Sequence, residues 1–301
     1  MTRPPRIGPG ARVAVVAPAG PVPREPFAAG AAILGARYRL VHDERIFARD
    51  GFLAGDDAAR TRELQAALSD PTIDAVVCAR GGWGLLRILD RLDATAFTRA
   101  PKPIVGFSDV TALLAWAARA GVASLHAPVI TQLGKLPADD AAALFALLES
   151  PDPPPPLTDL RVLCDGRAAE GRLLGGNLEV LTRLTGTPWS LPIDEPWLLL
   201  LEEVGERPYR IDRQLTHLLL AGALRNVAGV VVGDLIGCAE KDGSPPDAFA
   251  VIAERLGTLG VPVLAGAPVG HGDRNRALPY GTRARLDVAG KRVEFLEAAV
   301  T

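Results

Sequence analysis

A lone hydroxyl interrupts the stretch "PIVGFSDVTALL" (103–114), between an apolar run and a helix-like one. Ser108 stands there two residues after Gly106. A nucleophile elbow needs a small residue at that spacing, because the sharp strand-to-helix turn brings backbone segments together. The following residue, Asp109, can offer its amide N–H to an oxyanion, and the helix N-terminus beyond it adds a positive dipole end. The G-x-S-x-G pattern is only half matched, since Val110 stands where the second glycine would be. Read locally, Ser108 is either a helix N-cap with Asp109 as first-turn acid, or a nucleophile presented by the turn.

A serine hydroxyl needs a base, and the chain has four histidines. His42 follows "YRLV" in a charged stretch and reads as exposed. His217 lies mid-helix in "QLTHLLL" and reads as packed. His126 lies at a possible strand end in "SLHAPV". His271, in "APVGHGDRN", follows a buried strand between two glycines, which suits a mobile or close-approach loop. A histidine base in turn needs an acid to fix its tautomer. Glu202 and Glu203 end the apolar run "WLLLL". Alternation along a strand lets at most one of them face a site, and a buried carboxylate there must be paired. The plain alternative is an ion pair with Arg207, Arg210 or Arg213. The Gly81–Gly82 turn in "RGGWG" can expose amides to an anion, or be only a tight turn. "GGNL" (175–178) is likewise a turn or a ligand-facing loop. No dinucleotide fingerprint, Walker A run, HExxH or EF-hand loop occurs.

The elements that must carry these residues alternate. "RVAVVAPAG" (12–20), "IDAVVCA" (73–79) and "PIVGF" (103–107) read as buried strands. "PFAAGAAILGA", "DDAARTRELQAALSD", "LLRILDRL" and "DVTALLAWAARA" read as helices between or after them. That order predicts βαβ units and a parallel sheet, with chemistry at the carboxyl ends of its strands, in loops 17–23, 80–84 and 106–109. "ESPDPPPPLTD" is a stiff polyproline boundary. The expected organisation is an N-terminal α/β domain over 1–148, a linker over 149–159 and a smaller mixed α/β domain over 160–301. In the latter, "PWLLLLEEVGE", "VAGVVVGDL" and "VPVLAGAPVG" read as strands. "RIDRQLTHLLLAGAL" and "PPDAFAVIAERLG" read as helices, and "DVAGKRV" as a hairpin.

The 301 residues are 48% hydrophobic but only 5% aromatic, so the core must be built from Ala, Val, Leu and Ile. With 33 basic and 35 acidic residues the net charge is −2, which gives no footprint for nucleic acid. Three cysteines without CxxC spacing argue against a disulfide framework or structural zinc, and Cys78 and Cys238 read as small buried hydrophobes. "MTRPPRIGPG" has no apolar signal region and no run is long enough to span a bilayer, so a cytoplasmic protein is expected.

Five motifs in this order, "ARGGWG", "GFSDVTALL", "LLGGNLEVL", "LEEVGERPYRIDRQL" and "APVGHGDRNRALPYGTRARLD", resemble the serine peptidases of the LD-carboxypeptidase family, which also includes microcin C immunity peptidases. The resemblance runs from the first strand to the last. It implies a flavodoxin-like parallel-sheet N-terminal domain, a mixed α/β C-terminal domain, a homodimer, and no metal or organic cofactor. It implies a triad of Ser108, Glu202 and His271. The implied oxyanion hole is the Asp109 amide with an amide of Gly81 or Gly82. The implied reaction removes a terminal D-amino acid, D-Ala, from a murein tetrapeptide during cell-wall recycling. Arg80, Trp83, Asn177 and Arg274 are the candidate substrate contacts, with Arg80, Arg274 or Arg276 reading the terminal carboxylate. Phe107 and Trp83 stand where Tyr is frequent, Glu203 where Asp is usual, and "HAP" (126–128) where "HGP" is usual. The alternatives are an immunity-type peptidase acting on a peptidyl nucleotide, and a non-catalytic two-domain binding protein. A class I amidotransferase would carry Cys at the elbow.

Overall fold

Short apolar runs buried on both faces form the centre of the first sheet, as expected where helices cover both sides, with a more exposed strand at one edge. The computed structural model describes residues 1–240 and 242–301. Strands β1 (Arg12–Val16), β2 (Arg39–Val41), β3 (Ala75–Cys78), β4 (Ile104–Gly106) and β5 (Ser124–His126) pair in parallel in the order β2-β1-β3-β4-β5. This is the flavodoxin-like order. Helices α1 (Arg24–Gly35), α2 (Asp57–Ser69), α3 (Thr95–Arg99), α4 (Thr111–Arg119), α5 (Ile130–Leu133) and α6 (Ala138–Glu149) accompany it. Asp56 caps α2 through the Ala59 amide. "LLRILDRL" is not one helix. It folds as two single turns of 3₁₀ helix, Leu85–Arg87 and Leu89–Arg91, which bury Leu85, Ile88 and Leu89.

The second sheet is mixed. It holds β6 (Arg161–Cys164), β7 (Ala169–Asn177), β8 (Trp197–Val204), β9 (Val227–Ile236), β10 (Val263–Ala265), β12 (Arg283–Asp287) and β13 (Arg292–Phe295). Their order is β13-β12-β7-β8-β9-β10-β6, with β7 to β10 parallel and the edges antiparallel. Helices α7 (Leu178–Leu184), α8 (Pro208–Leu220) and α9 (Ala248–Gly257) belong to this half. The strand β11 (Leu278–Tyr280) returns to the first sheet, antiparallel to β5. The chain thus threads its C-terminal part back beside the strand that ends at His126.

Gly175–Gly176 is not a turn. β7 runs through both glycines to Asn177, because α4 packs there: a β-carbon on Gly176 would lie 2.5 Å from Thr111 Oγ1. One apolar cluster accordingly spans both halves, from Leu113 and Trp116 of α4 to Leu174, Leu178 and Leu199. Cys78 and Cys238 are buried in it. His42 is exposed as expected. His217 is exposed too, contrary to expectation, because the buried stripe of α8 is Ile211, Leu215 and Leu218 and position 217 falls outside it. No helix among the described residues is long and apolar enough to cross a membrane.

Candidate active site

The turn after β4 holds Ser108 at φ +63°, a left-handed conformation that costs energy for a residue with a side chain. Gly106 makes the turn possible. A β-carbon there would lie 2.6 Å from Val110 Cγ1. Ser108 opens a single 3₁₀ turn, Ser108–Val110, that leads into α4, and no side chain caps either segment. The N-cap reading of Ser108 is therefore corrected. Its Oγ lies instead 3.2 Å from His271 Nε2.

His271 Nδ1 in turn lies 2.7 Å from Glu202 Oε2. A carboxylate at Nδ1 keeps the proton on that nitrogen and leaves Nε2 free to accept one. Glu202 is fully buried at the end of β8. Burial works against the charged imidazole of His271. The Glu202 hydrogen bond and charge, helped by Glu203 and Asp234, outweigh that and hold its pKa above the ordinary value. Phe107 packs on the imidazole with ring centroids 4.8 Å apart, and His126 meets Phe107 edge-on with centroids 6.0 Å apart. Burial pushes His126 down to about 4, so it is neutral.

The histidine loop is a close-approach loop, and it is tied down. The Gly270 amide donates to Asn275 Oδ1 at 3.1 Å, and its carbonyl accepts from Gln132 Nε2 at 2.9 Å. Asn275 Nδ2 donates to Gln132 Oε1 at 2.7 Å, and the Gly272 amide donates to Asp234 Oδ2 at 3.0 Å. Asp140, buried at the start of α6, accepts the Asn275 amide and both Nε and Nη2 of Arg274. Sequence reading missed Gln132, Asp140, Asp234 and Asn275. Asn275 lies close to His271 and Asp140 at the start of a helix, signals that surface positions share, while Gln132 in α5 and Asp234 in β9 carry no such signal.

Glu203 faces the other way. Its oxygens accept from Asn177 Nδ2 (3.1 Å) and from the amides of Val204 (2.8 Å) and Glu179 (2.8 Å), while burial pushes its pKa up to about 7. Asn177 caps α7 from a buried position. It does not border the cleft, and its expected substrate contact is corrected. Arg207 pairs with Glu240 and Arg210 with Glu206, so these arginines do not neutralise Glu202 or Glu203. Arg274 is spent on Asp140 and borders a separate cavity with Arg276, so neither faces Ser108. Of the three arginines expected as candidate readers of the terminal carboxylate, Arg274 and Arg276 border this other cavity, and for these two the expectation is corrected.

Ser108 and His271 open onto a cleft of about 550 Å³, bordered also by Arg80, Gly81, Gly82 and Lys135. Arg80 Nη1 donates to the Pro21 carbonyl. Trp83 is 43% exposed beside this turn. The amides of Gly82 and Asp109 have no acceptor among the described residues. Hydroxyl, imidazole, carboxylate and two free amides at one point are suited to acyl transfer.

The flavodoxin-like half carries Ser108, and the half built on the mixed sheet carries His271 and Glu202. Models of the LD-carboxypeptidase N-terminal and C-terminal domains match residues 13–127 and 170–286. A Streptomyces coelicolor protein, SCO6489, whose name places it among the carboxypeptidases, is 43% identical over 300 residues, 95% of this chain and 94% of its own. The murein tetrapeptide carboxypeptidase of Pseudomonas aeruginosa is 33% identical over 298 residues, 94% and 95% of the two chains. The structure of the Escherichia coli microcin C7 self-immunity protein MccF superposes with a TM-score of 0.91 over the whole of both chains, at 22% identity. The chain belongs to the LD-carboxypeptidase family.

Proposed function

We propose that the protein is a serine-type LD-carboxypeptidase that releases a terminal D-amino acid, D-Ala, from a murein tetrapeptide. The observation that carries this is the line of contacts from Ser108 through His271 to Glu202, 3.2 and 2.7 Å long, starting from a strained serine. The name of the Pseudomonas relative supports a murein tetrapeptide as substrate, and the family resemblance supports D-Ala as the residue released. Ser108 Oγ attacks the scissile carbonyl while His271 Nε2 takes its proton. The Asp109 and Gly82 amides face the oxygen as it becomes charged, each contributing roughly 10²–10³ in rate. His271 then protonates the leaving amine, and water, deprotonated by the same nitrogen, releases the acyl group. Glu202 holds the ring and balances its charge throughout. The same resemblance carries a cytoplasmic homodimer active in cell-wall recycling, which particle mass in solution tests.

The direct experiment incubates the purified protein with a murein tetrapeptide ending in D-Ala and follows loss of that residue by mass. Ser108→Ala should abolish the loss. Retention of full activity by Ser108→Ala would remove the triad assignment. Cleavage of a peptidyl adenylate in place of the tetrapeptide would move the chain to the immunity-type activity.

A further inference from the structure

Hydrolysis at a carbonyl sorts the two ends of a substrate onto two sides of the nucleophile. The leaving amine must receive its proton from His271 Nε2, so it stands on the histidine's side of Ser108. The acyl oxygen stands on the side of the Gly82 and Asp109 amides. In a carboxypeptidase the leaving amine belongs to the terminal residue, whose carboxylate is two bonds further on. A cation that reads this carboxylate must therefore lie on the histidine's side of the cleft.

Among the described residues, two side-chain cations border the cleft, Arg80 and Lys135. Arg80 begins the glycine turn, on the oxyanion side, and its guanidinium is drawn back onto the Pro21 carbonyl. Lys135 is on the other side. Its amide donates to the Gln132 carbonyl at 2.9 Å, and the Gln132 side chain donates to the carbonyl of Gly270, next to His271, at 2.9 Å. Two hydrogen bonds thus fix the position of Lys135 relative to the histidine loop. The side chain is exposed, and it makes no ion pair among the described residues. Arg274 and Arg276 border a different cavity. We propose that Lys135 binds the terminal carboxylate of the peptide and so makes the enzyme an exopeptidase. The inference rests on the carboxypeptidase reading above.

The test compares a tetrapeptide ending in free D-alanine with the same peptide ending in D-alaninamide. The wild-type enzyme should favour the free acid in kcat/KM. Lys135→Met should collapse that preference, by about ten- to a hundredfold, the worth of a charge-assisted contact, mainly through a higher KM for the acid. Lys135→Arg should retain most of the preference. An equal preference in wild type and Lys135→Met, or loss of the preference in Arg80→Ala instead, would overturn the assignment while leaving Ser108-dependent cleavage intact. Failure of the wild-type enzyme to cleave the free acid would remove the carboxypeptidase reading and this inference together.

Discussion

Gly81 and Ser108 leave no room between them: a β-carbon on Gly81 would lie 2.9 Å from both Cβ and Oγ of Ser108. The glycine turn is thus pressed against the serine that the β4 turn holds in a left-handed conformation. Gly81→Ala must move either Oγ or the amides of the turn away from their positions. The expected outcome is a fall in kcat of about 10²–10³, the cost of losing one oxyanion donor or misplacing the nucleophile. Steady-state kinetics beside a melting curve separates this from unfolding, since the turn is at the surface of the cleft and the melting temperature should drop by only a few degrees.

The pH profile follows from the His271–Glu202 pair. His271 must be neutral at Nε2 to take the serine proton, so kcat/KM falls as pH drops through the imidazole pKa. That pKa is raised above its ordinary value of 6.5. The acid limb of the profile should therefore lie above the limb of an unperturbed histidine. Glu202→Gln removes the charge that raises it, so the limb should move to lower pH. The plateau should fall by about 10⁴, as in other triads that lose the acid. A limb that stays in place in Glu202→Gln would mean that another group titrates there.

Much of this was legible in the sequence, because it depends on local pattern. The Val-rich strands, the helix of "DDAARTRELQAALSD" and the "DVAGKRV" hairpin follow from periodicity and turn chemistry. Ser108 and Glu202 sit at strand ends and His271 in the loop that follows a buried strand, which a sequence can show. What it could not show is which distant groups each one meets. Asn177 looked like a turn residue facing a ligand, yet α4 packs over Gly176 and forces the strand to continue. Arg274 reads as free in the sequence, since its partner Asp140 lies 134 residues earlier, in the first turn of α6. β11 joins the first sheet through pairing with β5, a contact with no local signature.

Arg274 gives a test of that correction. Its guanidinium forks onto Asp140, which is buried and also accepts the Asn275 amide. Arg274→Ala takes two N–H donors and the positive charge away from a buried carboxylate, which keeps the Asn275 amide. The side chain of Arg274 is 45% exposed, so the loss is smaller than for a fully buried pair, about 1–3 kcal/mol in denaturant titration. Asn275 holds Gly270, so kcat should fall with the placement of His271 while KM changes little. A raised KM with unchanged kcat and stability would instead restore Arg274 as a substrate contact.

Asp109 supplies the oxyanion amide, and its own carboxyl is buried behind Ser108, with Oδ2 accepting the Leu85 amide at 3.0 Å. Burial pushes its pKa up to about 6, against the Leu85 amide and the charge of Arg60, which lower it. A carboxyl whose pKa rises on folding binds its proton more tightly in the native state. Its ionised form therefore costs stability, and the cost grows as pH rises from the ordinary carboxylate range through about 6. Asp109→Asn keeps an oxygen for the Leu85 amide and removes the titration. Its stability relative to wild type should decline by about 2–3 kcal/mol between roughly pH 7.5 and pH 4. The fixed cost of burying the amide nitrogen displaces the whole curve and leaves its slope unchanged. Urea titrations of the two proteins across that range measure the difference, and parallel curves would show that Asp109 titrates as an ordinary carboxylate.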